Sequence, residues 1–178
     1  MTDVWTVGHS NRSLEEFLDL LDAHGILVLV DVRTVPRSRH NPQFNVDRLP
    51  GALASRGIGH RHEPGLGGLR KPRPDSPNAG WRNESFRGYA DHLQTGEFEG
   101  ALDAFLVLAA ARRTACMCAE ALPWRCHRSL IADALVARGH RVFHITSTKK
   151  ADPHELNPTA IVRDGRVTYP GPEQLSLG

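Results

Sequence analysis

Apolar positions along this chain fall into two kinds of stretch, short continuous runs and longer periodic ones, and they follow each other in alternation. VWTV at 4–7 is a short apolar run that stops at Gly8-His9-Ser10-Asn11. Ser13 and Glu16 then stand at capping-box spacing ahead of the amphipathic stretch 14–24, which Gly25 ends. LVLVDV at 27–32 is a nearly continuous aliphatic run, the pattern of a strand covered on both faces and therefore of a parallel sheet. The first 32 residues thus read β-α-β. Residues 35–45, with Pro36 and Pro42 and no period, read as loop, followed by a weaker helix over 46–56 disturbed by Pro50 and a short strand near 58–62.

From Glu63 to Glu84 glycine and proline abound and apolar spacing disappears. A loop of this length in a compact domain is usually functional or mobile, and this one offers little to bury, so it is expected to lie as a lid over the edge of the sheet. Helices follow over 85–95 and 97–112, separated by Gly96, then a strand at 114–118, a helix at 127–139 ended by Gly139, and a strand at 141–145. In the tail, Asp164-Gly165 between two β-rich runs predicts a hairpin. The expected fold is one α/β domain over 1–178, with a core at 4–146 and a tail at 147–178. Its mostly parallel sheet is flanked by helices, and the strands ending at His9, Asp31 and Cys118 are neighbours that end at one edge.

Length and composition agree with this picture: 178 residues suit a single domain, and 40% hydrophobic with 24% charged residues is an ordinary soluble balance. No run approaches the ~18 apolar residues of a spanning helix, and the amino terminus lacks a basic region followed by an apolar one, so a cytoplasmic protein without membrane partners is expected. Cys116, Cys118 and Cys126, odd in number and crowded together, are not a secreted disulfide framework and should be reduced. A net charge of +2 does not by itself announce an anionic partner. The clustering of Arg33, Arg37 and Arg39 after one strand, and of Arg125 and Arg128 after another, is more informative, because a planar guanidinium suits phosphate and carboxylate.

In an open parallel sheet ligands bind outside the carboxyl ends of the strands. At that rim the sequence places His9, Ser10 and Asn11, then Asp31 and Arg33, then Cys118 and Glu120, and finally His144 and Thr146. Between Cys118 and Arg128 lie two thiols, a carboxylate, an imidazole and two guanidiniums. A cysteine at a helix amino terminus beside cations has its thiolate favoured, so Cys118 or Cys126 is a candidate nucleophile. Cys126, next to the irregular turn at Pro123-Trp124, is expected to face the rim and to ionise readily. The same arginines and free amides would also hold a phosphate with no covalent step. Cys116 reads as a core residue. A metal site built from Cys118, Cys126 and His127 with one of His9, His60 or His62 lacks a paired C-x-x-C, so neither metal nor cofactor is expected. The Cys118-to-Arg125 spacing compares with the anion cradle of phosphatases and rhodaneses but is one residue too long for the usual phosphatase spacing. Gly67 and Gly68 permit a close approach of backbone to ligand.

With these residues in view, the chain resembles the bacterial domain-of-unknown-function 488 family. The resemblance rests on TVGHSNRSLEEFLDLLDAHGI, LVDVRTVPRSRHNPQFN, the LGG at 66–68, SPNAGWRNESFRGYADHL and MCAEALPWRCHRSLIADALVARGHRVFHI, and runs from Thr6 to about His154. It implies a compact α/β fold with the GHS, DVR, LGG and C-x-E…CHR elements gathered in one site, and it implies no particular reaction.

The leading expectation is a domain that binds or processes a phosphate-bearing ligand, a nucleotide or nucleic acid. In it Arg33, Arg37 and Arg128 hold the anion, Asp31 or Glu120 and His9 or His127 move protons, and Cys118 or Cys126 acts as nucleophile. Ser10, Asn11, Arg39, Gly67, Gly68 and Arg125 complete the ligand-binding set. Two alternatives stand beside it: a non-catalytic nucleic-acid-binding module, and cysteine-dependent sulfur or acyl transfer.

Overall fold

The computed structural model describes residues 1–177. Five strands, β1 (Asp3–Gly8), β2 (Val28–Asp31), β3 (Gly59–His62), β4 (Thr114–Cys118) and β5 (Arg141–Ser147), run parallel, and β6 (Lys150–Pro153) pairs antiparallel with β5. Their order is β3-β2-β4-β1-β5-β6. The expected mostly parallel α/β sheet is therefore present, and Gly8 sits in register with Cys118 while Asp31 sits in register with Met117. The strands leading to His9, Asp31 and Cys118 end together at one edge.

Each central strand divides its side chains between two layers with the period of two that pleating dictates. Ala115 and Met117 of β4 pack with Trp5 and Val7 of β1 beneath α1 (Leu14–Ala23) and α2 (Leu49–Ala54). Cys116 and Cys118 face the opposite layer, with Val4, beneath α3 (Glu84–His92), α4 (Gly96–Ala111) and α5 (Arg128–Ala137). The helix starts follow local chemistry. Ser13 accepts from the Glu16 amide while the Glu16 carboxylate accepts from the Ser13 amide, and Asn83 and Thr95 cap α3 and α4. Helix α2 is shorter than the expected 46–56 because Pro50 lies in its first turn, where a missing N–H costs nothing, so the helix starts at Leu49.

The predicted hairpin is β7 (Ile161–Arg163) paired with β8 (Arg166–Thr168), turned by Asp164 and Gly165 at φ 51° and 73°. Two elements escaped the sequence reading: β6, a polar edge strand without apolar alternation, and the four-residue α6 (Pro172–Leu175). The sheet consequently extends past residue 146 into what reads as tail. No described helix is long and apolar enough to cross a membrane.

The 63–84 segment does reach the carboxyl edge, but the expectation that it buries little needs correction. Asn78 is fully buried, donating to Asp91 Oδ1 at 2.7 Å and accepting from the Tyr169 amide at 2.8 Å. Ser76 Oγ and the Arg73 amide also donate to Asp91, at 2.6 and 2.8 Å. A buried carboxylate that collects several donors stitches the segment to α3.

Gly8 ends β1 where the chain after β4 crosses it. A Cβ there would collide with the Glu120 carbonyl oxygen and lie 2.8 Å from Ala121 Cα, both backbone atoms that cannot swing aside. Gly8→Ala should lower unfolding stability by about 1–3 kcal/mol, the cost typical of overpacking, read as a reduced urea midpoint with unchanged slope.

Candidate active site

The site is built around Arg128, the first residue of α5, whose side chain is completely buried. Its Nε donates to Cys118 Sγ at 3.0 Å, Nη1 to Thr6 Oγ1 at 2.9 Å, and Nη2 to the carbonyl oxygens of Glu120 and Ala121 at 2.6 and 3.2 Å. None of these partners is a carboxylate. A guanidinium taken out of water needs an opposite charge, and sulfur is the only group among them that can ionise.

Cys118 is correspondingly acidic. Burial works against its thiolate, but a hydrogen bond from Cys126 and the charge of Arg128 outweigh it and bring the thiol down to about 7. The two sulfurs lie 2.9 Å apart, and donation to Cys118 together with burial pushes the Cys126 thiol far up. The expectation that Cys126 ionises readily at a helix terminus is corrected here. The helix begins at Arg128, and Cys126 sits in extended backbone after a 3-10 turn at Pro123–Arg125 with its sulfur aimed at Cys118. Cys116 is fully buried two residues before Cys118, and burial pushes its thiol up to about 12.

His127 packs its ring against Tyr89 at 4.8 Å, with Nδ1 3.4 Å from Cys126 Sγ, while its buried Nε2 has no hydrogen-bond partner among the described residues. Burial and the nearby Arg128 charge hold it down to about 4, so the ring is neutral. Gly68 lies over this ring, where a Cβ would come within 3.1 Å of Nδ1. The Gly68 carbonyl accepts from Thr34 Oγ1 at 2.8 Å, which ties the LGG loop to the one after β2.

Beside the thiol pair stands a second anion–guanidinium pair. Arg33 grips the buried Asp31 through Nε at 2.9 Å and Nη2 at 2.7 Å, and it also donates to the Phe44 carbonyl at 2.7 Å and to His9 Nε2 at 3.3 Å. His9 stacks on Phe44 at 4.4 Å, and its Nδ1 donates to the Ser10 carbonyl at 2.7 Å, which leaves Nε2 as the acceptor. Burial takes His9 down to about 4. Asp31 and His9 are thus held in fixed hydrogen bonds, and Arg33 spends most of its donors inside the protein.

Above Cys118 and Cys126 opens a cavity of 390 Å³, bounded also by His9, Arg33, Arg37, Gly68, Glu120, Arg125 and His127. Of the other expected ligand-binding residues, Ser10, Asn11, Arg39 and Gly67 lie outside its lining and Arg128 is buried beneath it, as is Asp31, expected as a proton carrier. Ser10 instead donates its amide to the Ala119 carbonyl at 2.9 Å, and Gly67 lets its loop press against Thr34. Arg37 and Arg125 are exposed at the mouth; Arg37 approaches Asp47 no closer than 3.9 Å. In the loop itself the amides of Leu122, Arg125 and Cys126 are used by Glu120 Oε1, Leu122 O and Pro123 O, so they are not offered to an anion as in a phosphatase cradle. His60 and His62 lie on β3 outside the cavity, and His62 donates to the Arg33 carbonyl at 2.7 Å. Among the described residues no group of three His, Cys, Asp or Glu side chains is placed to hold a metal ion.

Sequence reasoning missed Thr6, a buried hydroxyl in an apolar strand. Accepting from Arg128, Thr6 Oγ1 donates its own hydrogen bond to His144 Nδ1 at 2.6 Å; His144 Nε2 donates to His154 Nδ1 at 2.9 Å, and His154 Nε2 to Asp133 Oδ1 at 2.8 Å. Tyr169 donates to the other Asp133 oxygen at 2.6 Å. The signal available in the sequence was a polar residue inside VWTV. Other wall residues, among them Thr34, Leu69 and Phe86, carried no chemical signal at all.

Fold and site together define an α/β protein with a buried cysteine–guanidinium pair under a cavity at the carboxyl edge of a parallel sheet. The chain belongs to the family described as Domain of unknown function DUF488, whose sequence profile matches residues 13–135. That match takes in the DVR, LGG and CHR elements and begins after the GHS turn. No curated protein and no solved structure matches the chain.

Because His9 and His127 resist protonation in the folded state, the unfolded chain binds more protons between about pH 6.5 and 4, and stability falls as pH drops through that window. Cys118 acts in the same sense at higher pH: its stabilisation is complete above the ordinary thiol range and is lost as pH falls through about 7. Urea midpoints should therefore decline steadily from about pH 8 to pH 4, below the range in which the raised Cys116 and Cys126 thiols act in the opposite sense. Cys118→Ser should flatten the upper part of that curve and His9→Gln the lower part, whereas a wild-type midpoint independent of pH would contradict the assignment.

Proposed function

We propose that the protein is a cysteine-dependent enzyme of sulfur or acyl transfer. Cys118, as thiolate, attacks an electrophilic centre of a small molecule whose anionic group, phosphate or carboxylate, lies toward Arg37 and Arg125. The observation that carries this reading is the buried Arg128 that finds a sulfur where a carboxylate would ordinarily stand. Attack forms a covalent bond from Cys118 Sγ to the transferred group as the leaving group departs, and an incoming nucleophile then takes that group and restores the thiolate. Glu120, half-buried in the cavity wall, is the carboxylate placed to exchange a proton with the leaving group.

Simple anion capture and nucleic-acid binding receive less support, since Arg33 and Arg128 turn most of their donors inward and only Arg37 and Arg125 remain at the mouth. A resting thiolate also belongs in a reducing compartment, which supports a cytoplasmic setting.

The test is alkylation of Cys118 by neutral iodoacetamide and anionic iodoacetate across pH, with the site of labelling read by peptide mass. Wild type should label with a midpoint near pH 7 and favour the anionic reagent, relative to a free thiol, by roughly tenfold. The Arg37→Ala/Arg125→Ala variant should lose that preference at an unchanged midpoint, and Arg128→Leu should move the midpoint up toward that of an ordinary thiol. Native protein in which Cys118 resists both reagents, or titrates like a free cysteine, would defeat the proposal.

A further inference from the structure

Two thiols in contact at the floor of one cavity are more than a single nucleophile needs. Cys118 and Cys126 both line the cavity, their sulfurs are 2.9 Å apart, and of the two thiols Arg128 donates to Cys118. A thioester-forming site has no use for a second sulfur in contact with the first, because that sulfur would compete for the acyl group. Cys116, on the same strand face, lines no part of the cavity. We infer that Cys118 and Cys126 form a reducing dithiol whose substrate is a small disulfide bearing an anionic group. This rests on the assignment of Cys118 as nucleophile and names Cys126 as the resolving thiol.

The steps balance as follows. The Cys118 thiolate attacks one sulfur of the substrate, a Cys118–substrate disulfide forms, and the first half departs as a thiolate. Cys126 has now lost the acceptor of its hydrogen bond, and its S–H is left beside His127 Nδ1 at 3.4 Å. Its sulfur attacks Cys118 Sγ, a Cys118–Cys126 disulfide forms, and the second half departs, taking up the proton that Cys126 gives through His127. The dithiol has lost two electrons and the substrate disulfide has gained them. A soluble thiol or dithiol reductant reverses the change in the protein. The second attack requires little rearrangement, because Cys126 lies outside α5 in extended backbone, next to a short turn, and the helix itself need not move.

Dithiobis(nitrobenzoate), a chromogenic disulfide with carboxylates, is the probe, and iodoacetamide labelling of Cys118 runs in parallel. Wild type should release both halves of the reagent, retain none, and yield a Cys118–Cys126 disulfide peptide by mass that dithiothreitol removes. Cys126→Ser and Cys126→Ala should each release one half and hold the other on Cys118, a complete loss of the second release. The wild-type peptide map decides the matter even if a variant folds poorly. Retention of the reagent on Cys118 of wild type, with iodoacetamide labelling intact, overturns the dithiol and leaves the group-transfer reading in place. Failure of Cys118 to react with either reagent overturns both.

Discussion

The constraint on which the rest of the structure depends is the burial of one positive charge. Arg128 lies at the foot of α5, fully shielded from solvent and with no carboxylate among its partners, and uncompensated burial of such a charge costs several kcal/mol. Its surroundings are organised to meet that cost. The carbonyls of Glu120 and Ala121 turn inward to accept from it, which bends the chain after β4 down across the end of β1, and that crossing is open only because residue 8 has no side chain. Thr6 supplies an acceptor from the middle of the sheet, and Cys118 supplies a sulfur acceptor whose thiol the guanidinium makes more acidic. The conformation of the loop over the cavity thus follows from what lies beneath it.

Two anion–guanidinium pairs stand at the same sheet edge and illustrate what the sulfur changes. Asp31 holds Arg33 by two short bonds in the fork geometry that carboxylate and guanidinium share, and the pair is fixed further by Phe44 and His9. Cys118 offers Arg128 a single large acceptor and keeps its charge at the cavity floor. The carboxylate pair sets the shape of the rim, whereas the sulfur–guanidinium pair places Cys118 at the floor of the cavity. The neutral rings of His9 and His127 line the walls without adding charge of their own.

Much of this was legible in the sequence where local physics decides the outcome. Ser13 and Glu16 announce their capping box, the run 27–32 its buried strand, and Asp164-Gly165 its turn. The convergence of His9, Asp31 and Cys118 follows from the direction of parallel strands. What the chain did not disclose is the direction in which a charged side chain points: Arg125 and Arg128 look alike as neighbours in a basic loop, yet one is exposed and the other completely buried. Two partial signals existed. Asp31 and Arg33 are two positions apart in extended chain, so they fall on one side and can pair, and Thr6 and Asp133 are polar residues within apolar stretches. Strand β6 carries no apolar alternation, and its place at the edge of the sheet is set by the partner it finds in β5.

The order of the strands bears on how such a chain is made. β1 leaves the ribosome first, but it lies between β4 and β5 and has no strand to pair with until the segment Thr114–Cys118 has been synthesised. Until then its apolar residues have only local partners, and β2 can pair only with β3. The strand that joins β2 to β1 is β4, which also carries Cys118 to its place. Non-local closure of this kind is slow and leaves strand edges open while it lasts. A nascent chain stalled short of β4 would leave the apolar residues of β1 without a strand partner, and it would carry none of the three thiols, because Cys116, Cys118 and Cys126 all lie in that strand or after it.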